Sequence, residues 1–348
     1  TIIITYLRSS SYGTHSFCPM QYFIEYNLGI RSPSNKKADK GSIVHKVLEI
    51  LAYIKLTEQN KEKIYIDDIV GEVNINDYNL NDIIEKVYNH YSSRFKHHQW
   101  EVKDYKDCHL WVNKALTQHN GEFDPRKSNI LQPEQHFDIL IDKPWADYGY
   151  TTKDGFLEGR LAIKGTIDLI TKVDDNTIEI VDYKTGRRLD WATGEEKTLA
   201  KLQNDPQLRI YHYAVSQLYS HIEHIIFTIY FINDGGAFSI CYDKSDLPKT
   251  EDMIRQKFET IKNTQVPQLN KSWKCTKLCH FGKTTFENSH VLPIIEYRDG
   301  QLCKVDQAMT KCEQIKHDIE LIGINKVIDT YTFPDYSIGF YKAPGSVE

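Results

Sequence analysis

No apolar run in the chain approaches the roughly 20 residues that a membrane helix requires, and no secretory leader opens it. Internal repeats and low-complexity tracts are absent as well. There is no excess of basic charge: 43 Lys and Arg stand against 48 Asp and Glu, for a net charge of −5. Bulk attraction to a polyanion is therefore excluded, and any nucleic-acid contact must rest on local patches. A phosphate-binding P-loop is also missing. Gly282-Lys283-Thr284 has the end of that motif, but the glycine required five positions before Gly282 is replaced by Lys277. No nucleotide-hydrolysing motor is encoded, so any helicase partner would be a separate protein.

What remains is a soluble globular composition, 40% apolar and 26% charged, in a chain of 348 residues that can bury a core as one large domain or two ordinary ones. Seven cysteines, an odd number without a secretory leader, point to a reducing compartment where thiols are free or bind metal. A cytoplasmic setting, bacterial or in an infected host cell, is expected, with no membrane partner.

The most informative stretch runs from Lys164 to Lys184. Two β-branched runs, Lys164 to Val173 and Thr177 to Lys184, flank Asp174-Asp175-Asn176, which is turn chemistry and predicts a hairpin. With Asp175 at the tip, Asp168 falls directly across from Asp182. Opposed side chains lie about 4.5–5.5 Å apart at Cβ, where like charges destabilise a sheet unless something neutralises them. A divalent cation is the natural neutraliser. Alternation puts Lys184 on the Asp182 face, with Ile178 and Ile180, and turns Tyr183 away. An ordinary solvent-facing hairpin is the competing reading, which the two isoleucines oppose. A slip of one residue would send one carboxylate to the other face.

Before this hairpin, Cys18-Pro19 opens a helix through Tyr26, and a basic loop spans Arg31 to Lys40. After Gly41 a helix carries Val44, Val47, Leu48 and Leu51 on one face, with His45 and Glu49 one turn apart beside it. Residues from Leu56 to Lys127 read as a mostly helical insertion or lid with an amphipathic stretch from Leu80 to Phe95, and His97, His98 and His109 there read as solvated. Strands are expected at Gln132 to Asp142 and Gly155 to Ile163. Beyond the hairpin, Asp205-Pro206 caps a helix reaching Tyr219 that bears Gln207 and Tyr211. Strands Ile222 to Ile232 and Ala237 to Tyr242 surround Asn233-Asp234-Gly235-Gly236. A helix from Lys249 to Asn263, a short β-like piece and a final helix around Met309 to Ile322 follow. Arg187, Arg188, Lys197, Lys201 and Arg209 offer either a phosphate track or, with their interleaved acids, a solvated face.

Taken together, Gly-Thr-Ile-Asp168, Asp182-Tyr-Lys184-Thr-Gly and Gln207-Leu-Arg-Ile-Tyr211 resemble the PD-(D/E)xK nuclease superfamily, in particular its RecB-like branch, which includes CRISPR-associated exonucleases. The Gly-Ser-Ile-Val-His45 helix resembles that branch's first motif. The resemblance implies an α/β restriction-endonuclease-like core, with a central mixed sheet flanked by helices, over residues 1–281. A C-terminal extension, 282–348, would pack on it. It also implies Mg²⁺ or Mn²⁺ held by Asp168, Asp182, the Tyr183 carbonyl and His45. Lys184 would orient the attacking water, and Gln207 and Tyr211 would support the site and the DNA backbone. Two carboxylates and a carbonyl suit Mg²⁺, whereas a histidine ligand favours Mn²⁺.

The same branch often carries a [4Fe-4S] cluster. Cys18 matches its upstream ligand, and Trp-Lys-Cys275-Thr-Lys-Leu-Cys279 resembles the start of its later group. No third cysteine follows within ten positions, which departs from the family pattern and leaves Cys312 or Cys303 as fourth ligand. Zn²⁺ and free buried thiols remain the alternatives. Cys108 and Cys241 read as buried thiols. The function implied is a metal-dependent DNA exonuclease acting on single strands or duplex ends in recombination, repair or phage replication. A non-catalytic DNA-binding scaffold and a structure-specific endonuclease are the alternatives.

Overall fold

The two runs around Asp174-Asp175-Asn176 pair antiparallel at the centre of the molecule. The computed structural model describes residues 1–190, 193–282 and 289–331, and only the main chain for 289–298 and 301–308. Lys283 and Thr284 of the P-loop-like tripeptide therefore lie outside the described residues, as does the side chain of Cys303.

The chain opens with β1 (Tyr6–Leu7), α1 (Ser9–Phe17) and α2 (Pro19–Tyr22). Extended Cys18 separates the two helices, and Pro19 follows at the position where a missing N–H costs nothing. α3 (Lys36–Gln59) starts inside the stretch expected to be a basic loop. The Asn35 side chain accepts the Ala38 N–H at 2.8 Å, and Lys36 and Lys40 are neutralised by Asp104 and Asp107 at 2.8 Å each. That cap and those ion pairs carry the helix five residues further back than Gly41.

The expected helical insertion also contains a hairpin, β2 (Ile64–Asp67) and β3 (Gly71–Asn74), too short to stand out in the sequence. α4 (Leu80–Arg94), capped by Asn79, and α5 (Val102–Thr117) follow. β4 (Ile130–Leu140) leads to a separate hairpin, β5 (Asp147–Thr152) with β6 (Gly155–Arg160), so the strand expected at Gly155 to Ile163 is two strands parted at Leu161. β7 (Ala162–Lys172) and β8 (Thr177–Lys184) form the central hairpin.

α6 (Leu199–Gln203) and α7 (Pro206–Leu218) then supply the crossover to β9 (His224–Phe231), which pairs parallel with β8 and antiparallel with β10 (Gly236–Tyr242). The Asp205 side chain caps α7 as its sequence predicts, accepting the Gln207 N–H at 2.9 Å. α8 (Leu247–Lys262), α9 (Trp273–Lys277), the hairpin β11 (Ser289–Arg298) with β12 (Gln301–Thr310), α10 (Lys311–Ile322) and α11 (Ile324–Tyr331) complete the chain. α10 is thus not the last described helix.

One mixed sheet of six strands results, in the order β1-β7-β8-β9-β10 with β4 on the other edge of β7. It is apolar on both faces, as a sheet covered by helices must be. Ile170, Ile178 and Ile180 share one buried cluster with Ile210, Ile254 and Phe258 of α7 and α8, and with Ile315 and Ile319 of α10. Leu169, Val181 and Tyr183 face a second cluster with Val44, Val47 and Leu48 of α3.

Tyr183 ties this second layer down, its buried hydroxyl donating to the Phe123 carbonyl at 2.7 Å. Tyr183→Phe strands that carbonyl and is expected to lower stability by about 1–3 kcal/mol in urea unfolding; an unchanged midpoint would contradict this.

Candidate active site at a fork in the sheet

The edges of β7 define the site. β4 runs along one edge from Ala162 to Thr171. The other edge is shared: β1 pairs with Ala162 and Ile163, and β8 with Leu169 to Lys172. Between them, residues 164–168 have no strand partner on that side among the described residues. The hairpin register is the expected one, with Leu169 facing Val181 and Lys172 facing Ile178. Asp168 and Asp182 are the next position, and there the ladder stops. The carboxylates are therefore not a hydrogen-bonded cross-strand pair; they stand at the crotch of a fork, where β8 leaves β7 and continues on β9 alone.

The loose groups of this crotch are tied by side chains. Asp168 Oδ2 accepts the Tyr183 N–H at 2.9 Å, and Asp168 Oδ1 lies 3.3 Å from His45 Nδ1. The Thr166 carbonyl, on the open edge of β7, accepts the Tyr211 hydroxyl at 2.8 Å, and Gln207 Nε2 donates to that same hydroxyl oxygen at 2.9 Å. Gln207 and Tyr211 thus position the β7 main chain two residues from Asp168. α3 brings His45 close because Gly41, one turn earlier, allows contact with the β8 end: a Cβ there would sit 2.7 Å from Thr185 Oγ1.

Asp182 is 4% exposed, which rules out the solvent-facing hairpin. Lys184 Nζ lies 2.8 Å from Asp182 Oδ2, so that buried carboxylate has an ammonium at contact distance. Burial raises the Asp182 pKa, Lys184 opposes this, and Asp168 adds to it. Asp168 is shifted the other way, because His45 and Lys184 outweigh its burial. His45 is raised to about 8: burial lowers it, and the Asp168 charge more than compensates. Lys184 is held above its usual value, burial being overcome chiefly by Asp182, so it is a fixed ammonium. Two carboxylates and an imidazole that converge at this opening are a fitting donor set for a divalent cation.

Two carboxyls that the sequence did not single out as site residues stand beside the fork. The β4–β7 register puts Glu134 opposite Asp168, at φ 45°, and Glu134 lines a small cavity with His45, Glu49 and Asp168. Its pKa is pushed up to about 7 by burial, Glu49 and Asp168. Only its place in a predicted strand signalled it. Glu49 had its helical spacing from His45. A groove of about 480 Å³ runs from Gly186 past Lys184 and His45 to Glu49 and Glu134.

The basic residues beyond Lys184 are mostly engaged. Arg188 pairs with Glu196, Lys197 with Asp205 and Lys201 with Glu195, while Arg209 reaches Asn204. Arg187 is exposed beside the groove. Four of these five residues are thus held by local partners, and Arg187 is exposed.

The cysteines converge elsewhere. Cys18, Cys275, Cys279 and Cys312 line one cavity of about 250 Å³ between α2, α9 and α10. Gly282 closes it tightly, since a Cβ there would lie 2.8 Å from the Cys275 carbonyl. Burial pushes the Cys279 thiol up to about 11, against the lowering effect of the Phe281 and Gly282 N–H groups. Cys108 is buried as expected, whereas Cys241 is exposed, because its β10 side chain points outward.

The family model of the PD-(D/E)XK nuclease superfamily matches residues 9–283, and the chain belongs to that superfamily. No curated protein sequence matches it. Among solved structures it is similar to a protein named as a putative exonuclease from Eubacterium rectale, at 11% identity and TM-score 0.46, over 81% of this chain and 89% of that one. It is also similar to SSO0001, at 15% identity and TM-score 0.30, over 81% of this chain and 86% of that one.

If the fork takes a divalent ion, that ion stabilises the fold. A hundredfold excess of Mg²⁺ or Mn²⁺ over its Kd is expected to add about 2.7 kcal/mol to wild-type stability and little to that of Asp182→Asn. Equal gains in thermal melts of both proteins would place the ion elsewhere.

Proposed function

We propose that the protein is a metal-dependent DNA exonuclease acting on single strands or duplex ends. The observation that carries this reading is the fork, where the buried Asp182 carboxylate stands with Asp168, His45 and the Lys184 ammonium. Asp168, Asp182, His45 and the Tyr183 carbonyl would hold the ion; bound there, it supplies an activated water and neutralises charge on the phosphate and leaving oxygen. Lys184, fixed as a cation, orients the water and offsets phosphate charge. Gln207 and Tyr211 hold the β7 main chain, and so Asp168, in place. Arg187 is free to meet a backbone phosphate, which positions a strand without reading its sequence. The order of the His45, Asp168, Asp182-Tyr-Lys184 and Gln207/Tyr211 motifs favours end-directed cleavage over a site-specific endonuclease.

The four-cysteine cavity supports a [4Fe-4S] cluster over Zn²⁺. Among the described residues, no three thiols lie within 4.8 Å of one another, whereas four sulfurs about 2.3 Å from one Zn²⁺ would stand closer than that. Such a cluster would clasp residue 18 to residues 275–312 and serve the fold rather than hydrolysis. Anaerobically purified protein should show a broad visible absorbance that bleaches on reduction and is lost in Cys18→Ala; a colourless, metal-free protein of full stability would remove the cluster.

End-labelled linear and circular DNA, incubated with Mg²⁺, Mn²⁺ or EDTA, tests the activity. Linear substrate should be degraded with metal and circular DNA spared, with Asp182→Ala and Lys184→Ala folded and inactive. Cleavage of circles would make the protein an endonuclease, cleavage by either variant would overturn the site, and no cleavage with any metal would leave a binding scaffold.

A further inference from the structure

Among the described residues, one group of His, Cys, Asp and Glu side chains has its ligand atoms at metal-ligand spacing, and it lies outside the fork and the cysteines. Asp39, in the first turn of α3, and His97 and His98, between α4 and α5, bring three ligand atoms within 4.8 Å of one another. Asp39 Oδ2 lies 2.5 Å from His98 Nε2 and 3.8 Å from His97 Nε2, and the two ring centroids are 3.9 Å apart. Ser34 Oγ donates to Asp39 Oδ2 at 2.6 Å and stands 3.4 Å from His97 Nε2. These histidines were expected to be solvated; instead the His98 side chain is 10% exposed and Asp39 4%, while His97, at 39%, leaves one side open.

Hydrogen bonds within the cluster hold Ser34 and His98 to Asp39 Oδ2, and His97 to the Ser34 main chain. His97 Nε2 is left with the Ser34 carbonyl at 3.0 Å, crowded against the same carboxylate oxygen. One oxygen is then the common neighbour of two imidazole nitrogens and a hydroxyl, an arrangement that a cation about 2.0–2.2 Å from each ligand would organise with small shifts.

We propose that Asp39, His97 and His98 form a second, non-catalytic site for a divalent transition metal, Zn²⁺ by donor chemistry, which fastens the helical insertion to the N-terminal end of α3. Two imidazoles and a carboxylate are a zinc-type donor set, whereas Mg²⁺ keeps to oxygen. Ser34 Oγ or a water fills the fourth position. The site shares no residue with the fork, yet Ala38, beside Asp39, lines the same groove as His45 on the same helix. Fixing the first turn of α3 therefore fixes the lip of the groove.

The test uses the full chain in an Asp182→Asn background, stripped with EDTA, dialysed and kept in Mg²⁺, with ZnCl₂ as the probe. Thermal melting and bound zinc per chain are measured for this protein and for versions adding His97→Ala, Asp39→Asn or Cys275→Ser. Zinc is expected to raise the melting temperature of the parent and of the Cys275→Ser protein. Both site variants should lose that rise and one equivalent of bound zinc, with affinity weakened more than about tenfold. His97→Ala removes a half-exposed ring and Asp39→Asn keeps the size of the carboxylate, so a folding failure in one leaves the other to decide. A zinc effect that is equal in all variants, absent from the parent, or lost only with Cys275 overturns the site.

Discussion

The structure depends on the place where β8 parts from β7. A continuous ladder would have consumed the main-chain groups of residues 164–168 and pressed Asp168 against Asp182, at the spacing where like charges repel most. Because β1 occupies one end of the β7 edge and β8 the other, the carboxylates stand at an opening, where the Thr166 carbonyl is met by the Tyr211 hydroxyl, which Gln207 holds, and the Tyr183 N–H by the Asp168 carboxylate. The same opening admits His45 from α3. A gap in a sheet is ordinarily a weakness; here its polar groups are satisfied by side chains that also fix the site.

Charge explains how these four groups stand together at the fork. Lys184 and His45 face two carboxylates, so the four groups nearly neutralise one another, with Asp168 favoured as the ionised partner and Asp182 under strain from burial. A divalent ion arriving at the carboxylates would take over that neutralisation, with His45 losing its proton to serve as a neutral ligand.

Local chemistry was legible in the sequence wherever it is set by neighbours. Asp174-Asp175-Asn176 predicted the hairpin and its register, Asp205-Pro206 the start of α7, and the Val44, Val47, Leu48, Leu51 spacing the buried face of α3. The fork itself was not legible, because the strand that claims the β7 edge lies at Tyr6–Leu7, far away in sequence. Glu134 and the Asp39–His97–His98 group were hidden for the same reason, as each is made by contacts between distant segments. The early start of α3 was masked by lysines whose partners, Asp104 and Asp107, lie in the insertion. Cys18, Cys275, Cys279 and Cys312 were singled out by spacing and resemblance, but only the fold could show that they line one cavity.

The central claim, that the fork is a cation site, is tested most directly by Mn²⁺ anomalous scattering from crystals of the wild-type protein. The expected result is an ion between Asp168 and Asp182, within ligand distance of both carboxylates and beside His45. An empty fork at saturating Mn²⁺, or an ion bound only at other side chains, would contradict it.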